Sequence, residues 1–348
     1  MRKVVQWATG SVGRTALRRI IDHPDLQLVG LLVHDPKKAG LDAGDIAKRP
    51  KTGVLATDKF EDILALEADV VIDASLISIP YEKQNEKIAK LLASGKNVIS
   101  PNGFFLPDVQ GEAYAGPLRQ AALAGKATLA GIGFNPGFIA ERLAVMVTGI
   151  VAKLDAIRCF EVVDASPSPS PGLVFDVMGF GSDPAKVDVT KGPIAKLYDI
   201  YFAETLTYVA EALGTTLATM TPDHEVTLAP QDIQVKVGTL PRGTVAATTW
   251  RWQASFANGV KMTHSILWTS SPALHGETDE AHWRVEIDGR PNVRLSLALT
   301  DPDPAAPLSR PTMDATAALM IRAIPDVCDA APGFYRLPVV APYATRLA

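Results

Sequence analysis

The 348-residue sequence lacks the marks of several protein classes. Its two cysteines, Cys159 and Cys328, lie far apart, without the spacing of a metal site or a disulfide framework. His275 and His282 are too loosely spaced from carboxylates to indicate a metal site, so we expect none. No apolar run approaches the ~20 residues of a membrane-spanning helix, and the amino terminus carries no signal-peptide pattern. The net charge of −4 favours neither nucleic acid nor an anionic membrane as a partner. We therefore expect a cytoplasmic protein that acts on small molecules.

The beginning of the chain carries a pattern typical of dinucleotide binding. Residues 4–7 predict a buried strand, and an apolar helix follows to about Ile21. The turn between them reads Ala8-x-Gly10-x-x-Gly13, which is G-x-G-x-x-G with alanine in the first place. Alanine there is a mild departure. Gly10 lets the backbone approach a pyrophosphate, and Gly13 lets the helix pack closely on the strand. The helix N-terminus then offers unpaired N–H groups to the phosphates.

The periodicity of apolar residues divides the chain. Up to about residue 130, strands alternate with helices, which predicts a parallel sheet covered on both faces. Beyond about residue 141, period-two segments predict a mostly antiparallel sheet. The predicted fold class is α/β, with an N-terminal Rossmann-type doubly wound parallel sheet and a second α+β domain. We expect a dinucleotide-binding domain over 1–140, a substrate and dimerisation domain over 141–310, and a helix and tail over 311–348 that return to the first domain.

The end of the second predicted strand bears on the choice of coenzyme. It reads His34-Asp35-Pro36-Lys37-Lys38 and lies about 20 residues past the glycine turn, where the adenosine ribose is usually bound. An acidic Asp35 favours NAD, whereas Lys37 and Lys38 favour the additional phosphate of NADP, and His34 suits either role. A solvated polar loop is the alternative interpretation for the lysines. Both NAD and NADP stay open, and we favour NADP slightly.

Three later segments follow predicted parallel strands, at residues 75–78, 100–105 and 131–138. Ligands of doubly wound sheets bind beyond the carboxyl ends of the strands, so coenzyme and substrate should meet there. Ser75 is a candidate coenzyme contact on this ground. Phe104 and Phe105, in the second segment, are candidates for an apolar substrate pocket.

The second half adds candidates of two kinds. Met178 and Phe180 are candidate apolar walls for the substrate, although a helix end with core side chains explains them equally well. Tyr198 and Tyr201 lie on a predicted helix over 194–213, and a tyrosine hydroxyl can donate a proton to a nascent alkoxide. The alternative is that both rings belong to the core. His264, in the middle of a strand, is predicted to be structural.

The segment Gly131-x-Gly133-x-Asn135-Pro136-Gly137-Phe138, together with residues 5–13 and 178–181, resembles one known family. It is the dihydrodipicolinate-reductase-like family, which includes 2,4-diaminopentanoate dehydrogenase and NAD(P)H-dependent amine dehydrogenases. The resemblance extends over nearly the whole chain. It implies a Rossmann domain, a mixed α+β domain, a homodimer, and reduction of a carbonyl or imine. It also implies that Asn135 faces the nicotinamide carboxamide and that Phe138 shapes the pocket. The residues implied to bind the pyrophosphate, with their neighbour Thr9, are Thr9, Gly10, Ser11, Val12 and Gly13.

Two departures from that family narrow the expected reaction. In its amine dehydrogenases the strand corresponding to 97–100 is followed by a loop with a catalytic glutamate, but residues 101–107 here contain no ionisable side chain. Asn102 is then the candidate catalytic residue, as a hydrogen-bond donor in place of the glutamate, unless a bound water takes that role. The paired histidines of dihydrodipicolinate reductase are also absent. Synthesis of a lysine precursor is therefore not expected.

These observations lead to one functional hypothesis and two rivals. The hypothesis is an NAD(P)H-dependent oxidoreductase that transfers hydride to a C=O or C=N group of a mainly hydrophobic small molecule. The first rival is a reductase of an activated C=C or C=O bond in a catabolic pathway, because the loop 101–107 is neutral and rich in phenylalanine. The second is a sensor that binds NAD(P) without catalysis.

Overall fold

The computed structural model describes residues 1–275, 282–306, 309–340 and 342–343. The chain forms two compact units. The first unit comprises Met1–Phe138 and Asp303–Pro338, and the second comprises Ile139–Pro302 with the chain from Val339 onward. The stretch Ile139–Pro302 of the second unit is thus an insertion in the sequence of the first.

The secondary structure of the described residues is as follows. The strands are β1 Arg2–Trp7, β2 Leu26–Leu32, β3 Ala56–Thr57, β4 Val70–Asp73, β5 Asn97–Ser100, β6 Thr128–Gly131, β7 Lys153–Asp164, β8 Leu217–Pro222, β9 Glu225–Leu228, β10 Ile233–Val235, β11 Gly238–Leu240, β12 Val245–Phe256, β13 Lys261–Thr269, β14 Trp283–Arg290, β15 Val293–Leu297 and β16 Gly333–Phe334. The helices are α1 Ser11–Asp22, α2 Ala43–Ala47, α3 Phe60–Ala65, α4 Asn85–Ala93, α5 Glu112–Gly125, α6 Val145–Thr148, α7 Pro193–Ala212, α8 Arg310–Arg322 and α9 Ile324–Asp329.

The sheet of the first unit has seven strands in the order β16-β6-β5-β4-β1-β2-β3. All of its pairings are parallel. One face packs against α3, α4 and α5 in a core that includes Val5, Val71 and Leu129. On the other side, α1 packs against α2 and α8. Because parallel strands are covered on both faces, their sequences are almost continuously apolar. The predicted doubly wound sheet is confirmed.

Helix α1 shows how the sequence sets these elements. Its buried residues, Gly13, Ala16, Leu17 and Ile20, recur at a spacing of three or four and form one apolar face. The helix ends at His23, whose backbone is extended (φ −87°, ψ 125°), because a residue before proline avoids the helical region. Helix α5 departs from expectation. The sequence predicts its start at about Gly116, with Pro117 in the first turn, but the helix begins at Glu112 and contains Pro117 inside it.

The sheet of the second unit has the order β15-β14-β7-β13-β12-β8, and β9 also pairs with β12. The pairings are antiparallel except for β7 with β13, which run parallel. Helix α7 covers one face, where Tyr198 and Phe202 contact Trp250 and Trp252. The opposite face is polar. The second domain is therefore built on a mostly antiparallel sheet, as predicted.

Two further observations concern the helices and the cysteines. Among the described residues, no helix combines the length and the apolar character needed to cross a membrane. Both cysteines are unpaired; Cys159 is buried and Cys328 is partly buried. Burial raises the pKa of the Cys328 thiol to about 11, so this thiol is protonated at neutral pH.

Candidate coenzyme and active site

The turn between β1 and α1 has the geometry of a phosphate site. Gly10 is the N-cap of α1, provides no side-chain acceptor, and is followed by a first turn without acidic residues. A Cβ atom placed on Gly10 meets no atom within 4 Å, whereas one on Gly13 lies 2.3 Å from the carbonyl oxygen of Ala8. Gly13 is thus required for packing, and Gly10 leaves the surface over the helix end free. Uncapped N–H groups and the positive end of the helix dipole suit a diphosphate.

Ala8 occupies a backbone conformation that glycine would adopt more easily. Its φ is +72°, and a left-handed conformation costs an L-residue roughly 1–2 kcal/mol. The departure from the glycine pattern is therefore more strained than the sequence analysis expected. The side-chain nitrogen of Gln6 donates hydrogen bonds to the carbonyl oxygens of Trp7 (3.0 Å) and Ala8 (3.1 Å). The fully buried Gln6 thereby braces the turn, a role that the sequence pattern did not reveal.

The segment after β2 brings one predicted coenzyme residue to the turn. Lys38 donates a hydrogen bond from Nζ to Oγ1 of Thr9 over 3.0 Å. Asp35 instead caps the short helical turn that follows it, accepting from the backbone N–H of Lys37 over 3.0 Å. The Lys37 side chain is exposed.

His34 is fixed by the first strand. The indole Nε1–H of Trp7 donates to Nε2 of His34 over 3.2 Å. Partial burial, and after it the charge of Lys87, lower the pKa of His34. The ring is therefore neutral at pH 7, with its proton on Nδ1, and His34 offers a donor rather than a charge.

The carboxyl ends of β4 and β5 are joined by a closed ring of hydrogen bonds. Asp73 accepts through Oδ1 from the backbone N–H (3.1 Å) and the hydroxyl (2.6 Å) of Ser75, and through Oδ2 from the hydroxyl of Ser100 (2.9 Å). The backbone N–H of Asn102 donates to the Ser100 hydroxyl (3.2 Å), and its side-chain Nδ2 donates to the carbonyl oxygen of Ser75 (2.6 Å). The structure thus joins two residues predicted separately, Ser75 and Asn102.

Asp73 is the residue of this ring that sequence reasoning missed. Its side chain is fully buried, and burial raises its pKa against the opposing effect of the donors from Ser75 and Ser100. The signal in the sequence was a single carboxylate closing the apolar strand Val70–Asp73. A buried carboxylate surrounded by fixed donors holds its neighbours in place.

The segment 131–138 is packed against the loop after β5. A Cβ atom on Gly131 would lie 2.3 Å from the carbonyl oxygen of Gly103, and one on Gly137 (φ +119°) would lie 2.6 Å from the backbone nitrogen of Gly133. The ring of Phe105 lies against Gly133 and Gly137.

The predicted pocket residues of the first unit differ in placement. Phe104 belongs to the hydrophobic core and is 4% exposed. Phe138 is only partly buried and stacks on Phe134 at 5.5 Å between ring centroids. Asn135 precedes a cis peptide bond to Pro136 and is also partly buried. Of these residues, Phe138 and Asn135 are placed at a surface where a ligand can reach them.

The remaining predicted residues lie in the second unit. Met178, Phe180 and Tyr201 are almost fully buried. Tyr198 is packed between aromatic rings, 5.7 Å from Trp250 and 5.4 Å from Trp268. Burial, and after it the charge of Glu161, raise the pKa of Tyr198, so that its hydroxyl is protonated at neutral pH. Their burial places Met178, Phe180 and Tyr201 in the core of the second unit.

A hydrogen-bond network between Asp199 of α7, His224 and Trp252 of β12 was also missed. The backbone N–H of Arg251 donates to Nδ1 of His224 (3.1 Å), which leaves Nε2–H to donate to Asp199 (3.0 Å). The indole of Trp252 donates to the same carboxylate oxygen over 2.8 Å. This network ties α7 to the sheet. Within the described ranges, no cluster of three or more His, Cys, Asp or Glu residues is arranged to hold a metal ion.

Comparison with known proteins agrees with this geometry. The family described as dihydrodipicolinate reductase, N-terminus, matches residues 1–102. An amine dehydrogenase from Streptomyces virginiae is 27% identical over 312 residues, which cover 86% of each chain. The chain is thus similar to an amine dehydrogenase over most of its length. The resemblance predicted from the sequence is thereby confirmed, and so is the predicted enzyme class, an NAD(P)-dependent oxidoreductase.

Solved structures support the same fold. An amine dehydrogenase from Mycobacterium smegmatis superposes with a TM-score of 0.76 at 20% identity, covering 97% of this chain and 96% of that one. A scyllo-inositol dehydrogenase from Lactobacillus casei, solved with NAD(H) and scyllo-inositol, superposes with a TM-score of 0.57 at 14% identity, covering 98% and 92%.

Proposed function

We propose that this oxidoreductase transfers hydride to a C=O or C=N group of a mainly hydrophobic small molecule, in a reaction of the amine dehydrogenase type. The observation that carries the proposal is the ring of Asp73, Ser75, Ser100 and Asn102. It fixes two polar side chains beyond the carboxyl ends of β4 and β5, where doubly wound sheets bind their ligands. The homology to an amine dehydrogenase supports the reaction type.

The bound nicotinamide coenzyme supplies the hydride, and the chain supplies binding and orientation. Gly10 and the amides up to Gly13 would hold the pyrophosphate at the start of α1, as the open surface over Gly10 allows. Asn102 has two hydrogens on Nδ2, and Ser75 accepts one of them. We assign the other to the oxygen or nitrogen of the reacting C=O or C=N group, which it polarises by hydrogen bonding.

We favour NADP over NAD as the coenzyme because of Lys38. Its ammonium group reaches Thr9, beside the phosphate turn, whereas the carboxylate of Asp35 caps its own turn. A cation at this place stabilises the additional ribose phosphate of NADP, while the diol of NAD is better bound by a free carboxylate.

A second candidate is a reductase of an activated C=C or C=O bond. The observation that favours it is the same loop, in which an amide and two phenylalanines stand where an ionisable group is expected. Reduction of a polarised C=C bond needs no ammonia to be deprotonated, so a hydrogen-bond donor at Asn102 is sufficient for it.

We also propose that the chain forms a homodimer through the polar face of the second unit's sheet. On this face Arg158 binds Asp288, and Arg284 covers the ring of Phe160 at 4.7 Å. Phe160 is a partly buried apolar group in the middle of that face. Light scattering should give twice the chain mass, and Phe160→Asp should give monomers. A dimer that is unaffected by the substitution contradicts this assignment.

The function is tested by coenzyme binding followed by turnover. Calorimetry should show binding of NADPH, and oxidation of NADPH should then be followed with a panel of hydrophobic ketones, with and without ammonium. Turnover that requires ammonium supports the amine reaction, and turnover without it supports the second candidate. Coenzyme binding without turnover of any ketone or activated alkene would identify a sensor. In the active case, Asn102→Ala should lower kcat and leave the Kd for NADPH nearly unchanged; unaltered kcat contradicts the role of Asn102.

A further inference from the structure

The inner face of the second unit's sheet carries a carboxylate in a row of apolar side chains. Cross-strand partners point to the same face of a sheet. Trp250 pairs with Ile266, Ile266 pairs with Glu161, and Glu161 pairs with Trp283. The other three members of the row are at most 5% exposed, whereas Glu161 is only partly buried. Glu161 is therefore a partly buried carboxylate in a row of aromatic and aliphatic side chains.

Aromatic rings on this face surround the region above the row. Tyr198, on α7, meets Trp250 at 71° and Trp268 at 74°, and the two tryptophans meet each other at 79° over 5.4 Å. Trp268 pairs with Val163, two residues along β7 from Glu161 on the same face. Burial, and after it the charge of Glu161, raise the pKa of Tyr198. Carboxylate and rings therefore form one local group within the second unit.

Two polar atoms beside this group have no hydrogen-bond partner among the described residues. The hydroxyl of Thr248 and the indole N–H of Trp250 are both fully buried, and neither has a hydrogen-bond partner among the described residues. Thr248 pairs with Trp268 across the sheet, so both atoms lie on the face that carries Glu161. A buried polar group without a partner costs about 1–3 kcal/mol. Such atoms indicate a place where a polar ligand group completes the hydrogen bonding.

The chemistry of this group matches an organic cation. A carboxylate binds ammonium by charge-assisted hydrogen bonds, and aromatic faces within about 6 Å attract the same charge. Apolar neighbours such as Ile266 suit the hydrocarbon part of the molecule. We propose that Glu161, with Tyr198 and Trp268, binds the ammonium group of a hydrophobic primary amine. This inference rests on the proposed function and names its substrate class, a hydrophobic primary amine.

The experiment measures ammonium binding separately from turnover. Quenching of tryptophan fluorescence by n-hexylammonium is compared with that by n-hexanol, which has the same chain and no charge, with and without NADP. Glu161→Gln should weaken n-hexylammonium binding by about tenfold or more, as expected for a lost charged hydrogen bond, and leave n-hexanol binding unchanged. The matched control is Asp155→Asn, an exposed carboxylate on the same strand, which should bind both probes as the unaltered protein does.

The outcomes separate the site from the proposed function. Equal n-hexylammonium binding by Glu161→Gln and the unaltered protein, or no binding by either, overturns the site. Loss of n-hexylammonium binding in Glu161→Gln, with binding retained by the unaltered protein, supports the site. If no substrate is turned over in that case, the proposed function fails and the site stands. Amine turnover with an unchanged KM in Glu161→Gln supports the function and overturns the site. If Glu161→Gln does not fold, Tyr198→Leu should weaken n-hexylammonium binding several-fold relative to n-hexanol, and an equal effect on both probes counts against the site.

Discussion

The two glycines of the phosphate turn provide a matched pair of substitutions. Gly10→Ala places a methyl group where no protein atom lies within 4 Å, at a φ of −69° that alanine adopts readily. Gly13→Ala places one 2.3 Å from the carbonyl oxygen and 2.9 Å from the carbonyl carbon of Ala8. Both contacts in the second case are with backbone, so the turn itself must move. The same substitution therefore tests the space for a ligand at Gly10 and the packing of the turn at Gly13.

The expected magnitudes differ accordingly. Gly13→Ala should cost about 1–3 kcal/mol as an overpacked site, which lowers Tm by roughly 3–10 °C in a domain of this size. Gly10→Ala should leave stability within about 0.5 kcal/mol. Its methyl group occupies the surface assigned to the pyrophosphate, so the Kd for NADPH should rise by at least about tenfold, which corresponds to about 1.4 kcal/mol.

Calorimetric melting and NADPH titration of both variants test this reasoning. If Gly10→Ala binds NADPH as tightly as the unaltered protein, the coenzyme does not lie against the start of α1. If Gly13→Ala melts with the unaltered protein, the close contact with Ala8 does not constrain the turn. A loss of Tm in Gly10→Ala would refute the view that this glycine is retained for the ligand.

Three further predictions concern charge and burial. Burial lowers the pKa of His264 to about 3 from an ordinary value of 6.5, so the unfolded state binds the extra proton first and stability falls as the pH drops below about 6.5. Between pH 7.5 and 5 the free energy of unfolding should fall by about 2 kcal/mol for this reason. Urea unfolding of His264→Leu should lack this part of the pH dependence. If the free energy of unfolding depends on pH in the same way in both proteins, the prediction is wrong. Lys38→Ala should weaken NADPH binding about tenfold and leave NADH binding within about twofold, with Lys37→Ala as the exposed control; equal losses for both coenzymes refute the NADP preference. Asp73→Asn should lower kcat by about tenfold, because an amide nitrogen cannot accept the hydrogen bond that the Ser100 hydroxyl donates. An unchanged kcat would mean that the ring does not position Asn102.

The sequence predicted the features that depend on local pattern. The apolar strands, the amphipathic α1 and the glycines of the first turn each follow from periodicity or from backbone freedom over a few residues. The period-two burial in β12, with Trp250 and Trp252 inside and Arg251 and Gln253 outside, was predictable for the same reason. Even the resemblance to the amine dehydrogenases was carried by short glycine-rich segments.

Features that depend on contacts between distant segments were not predictable in this way. Asp73 and Asn102 are linked through Ser75 and Ser100 only because β4 and β5 are neighbours in the sheet and end at the same edge. Glu161 is one carboxylate among many in the sequence, and its aromatic surroundings come from β12, β13 and α7. The strain at Ala8 was also not predicted, because the type of a residue does not determine its φ angle.

The parallel pair β7 and β13 escaped prediction as well, since periodicity sets which face a side chain points to and not the direction of the neighbouring strand. Short β16 carries no sequence signal of its own, because two residues give no period. It is defined by its parallel pairing with β6, where Gly333 aligns with Thr128.

The division of the first unit into two stretches of sequence has a consequence for how the protein is made. Ala317, Met320 and Ile324 are completely buried, yet the ribosome adds them only after the stretch Ile139–Pro302 of the second unit has been synthesised. The nascent Rossmann sheet therefore waits, with the flank of α1 and the edge of β6 uncovered, while about 160 residues emerge at roughly 5–20 per second. Removal of the chain after residue 302 should leave these surfaces permanently open to chaperones and to aggregation.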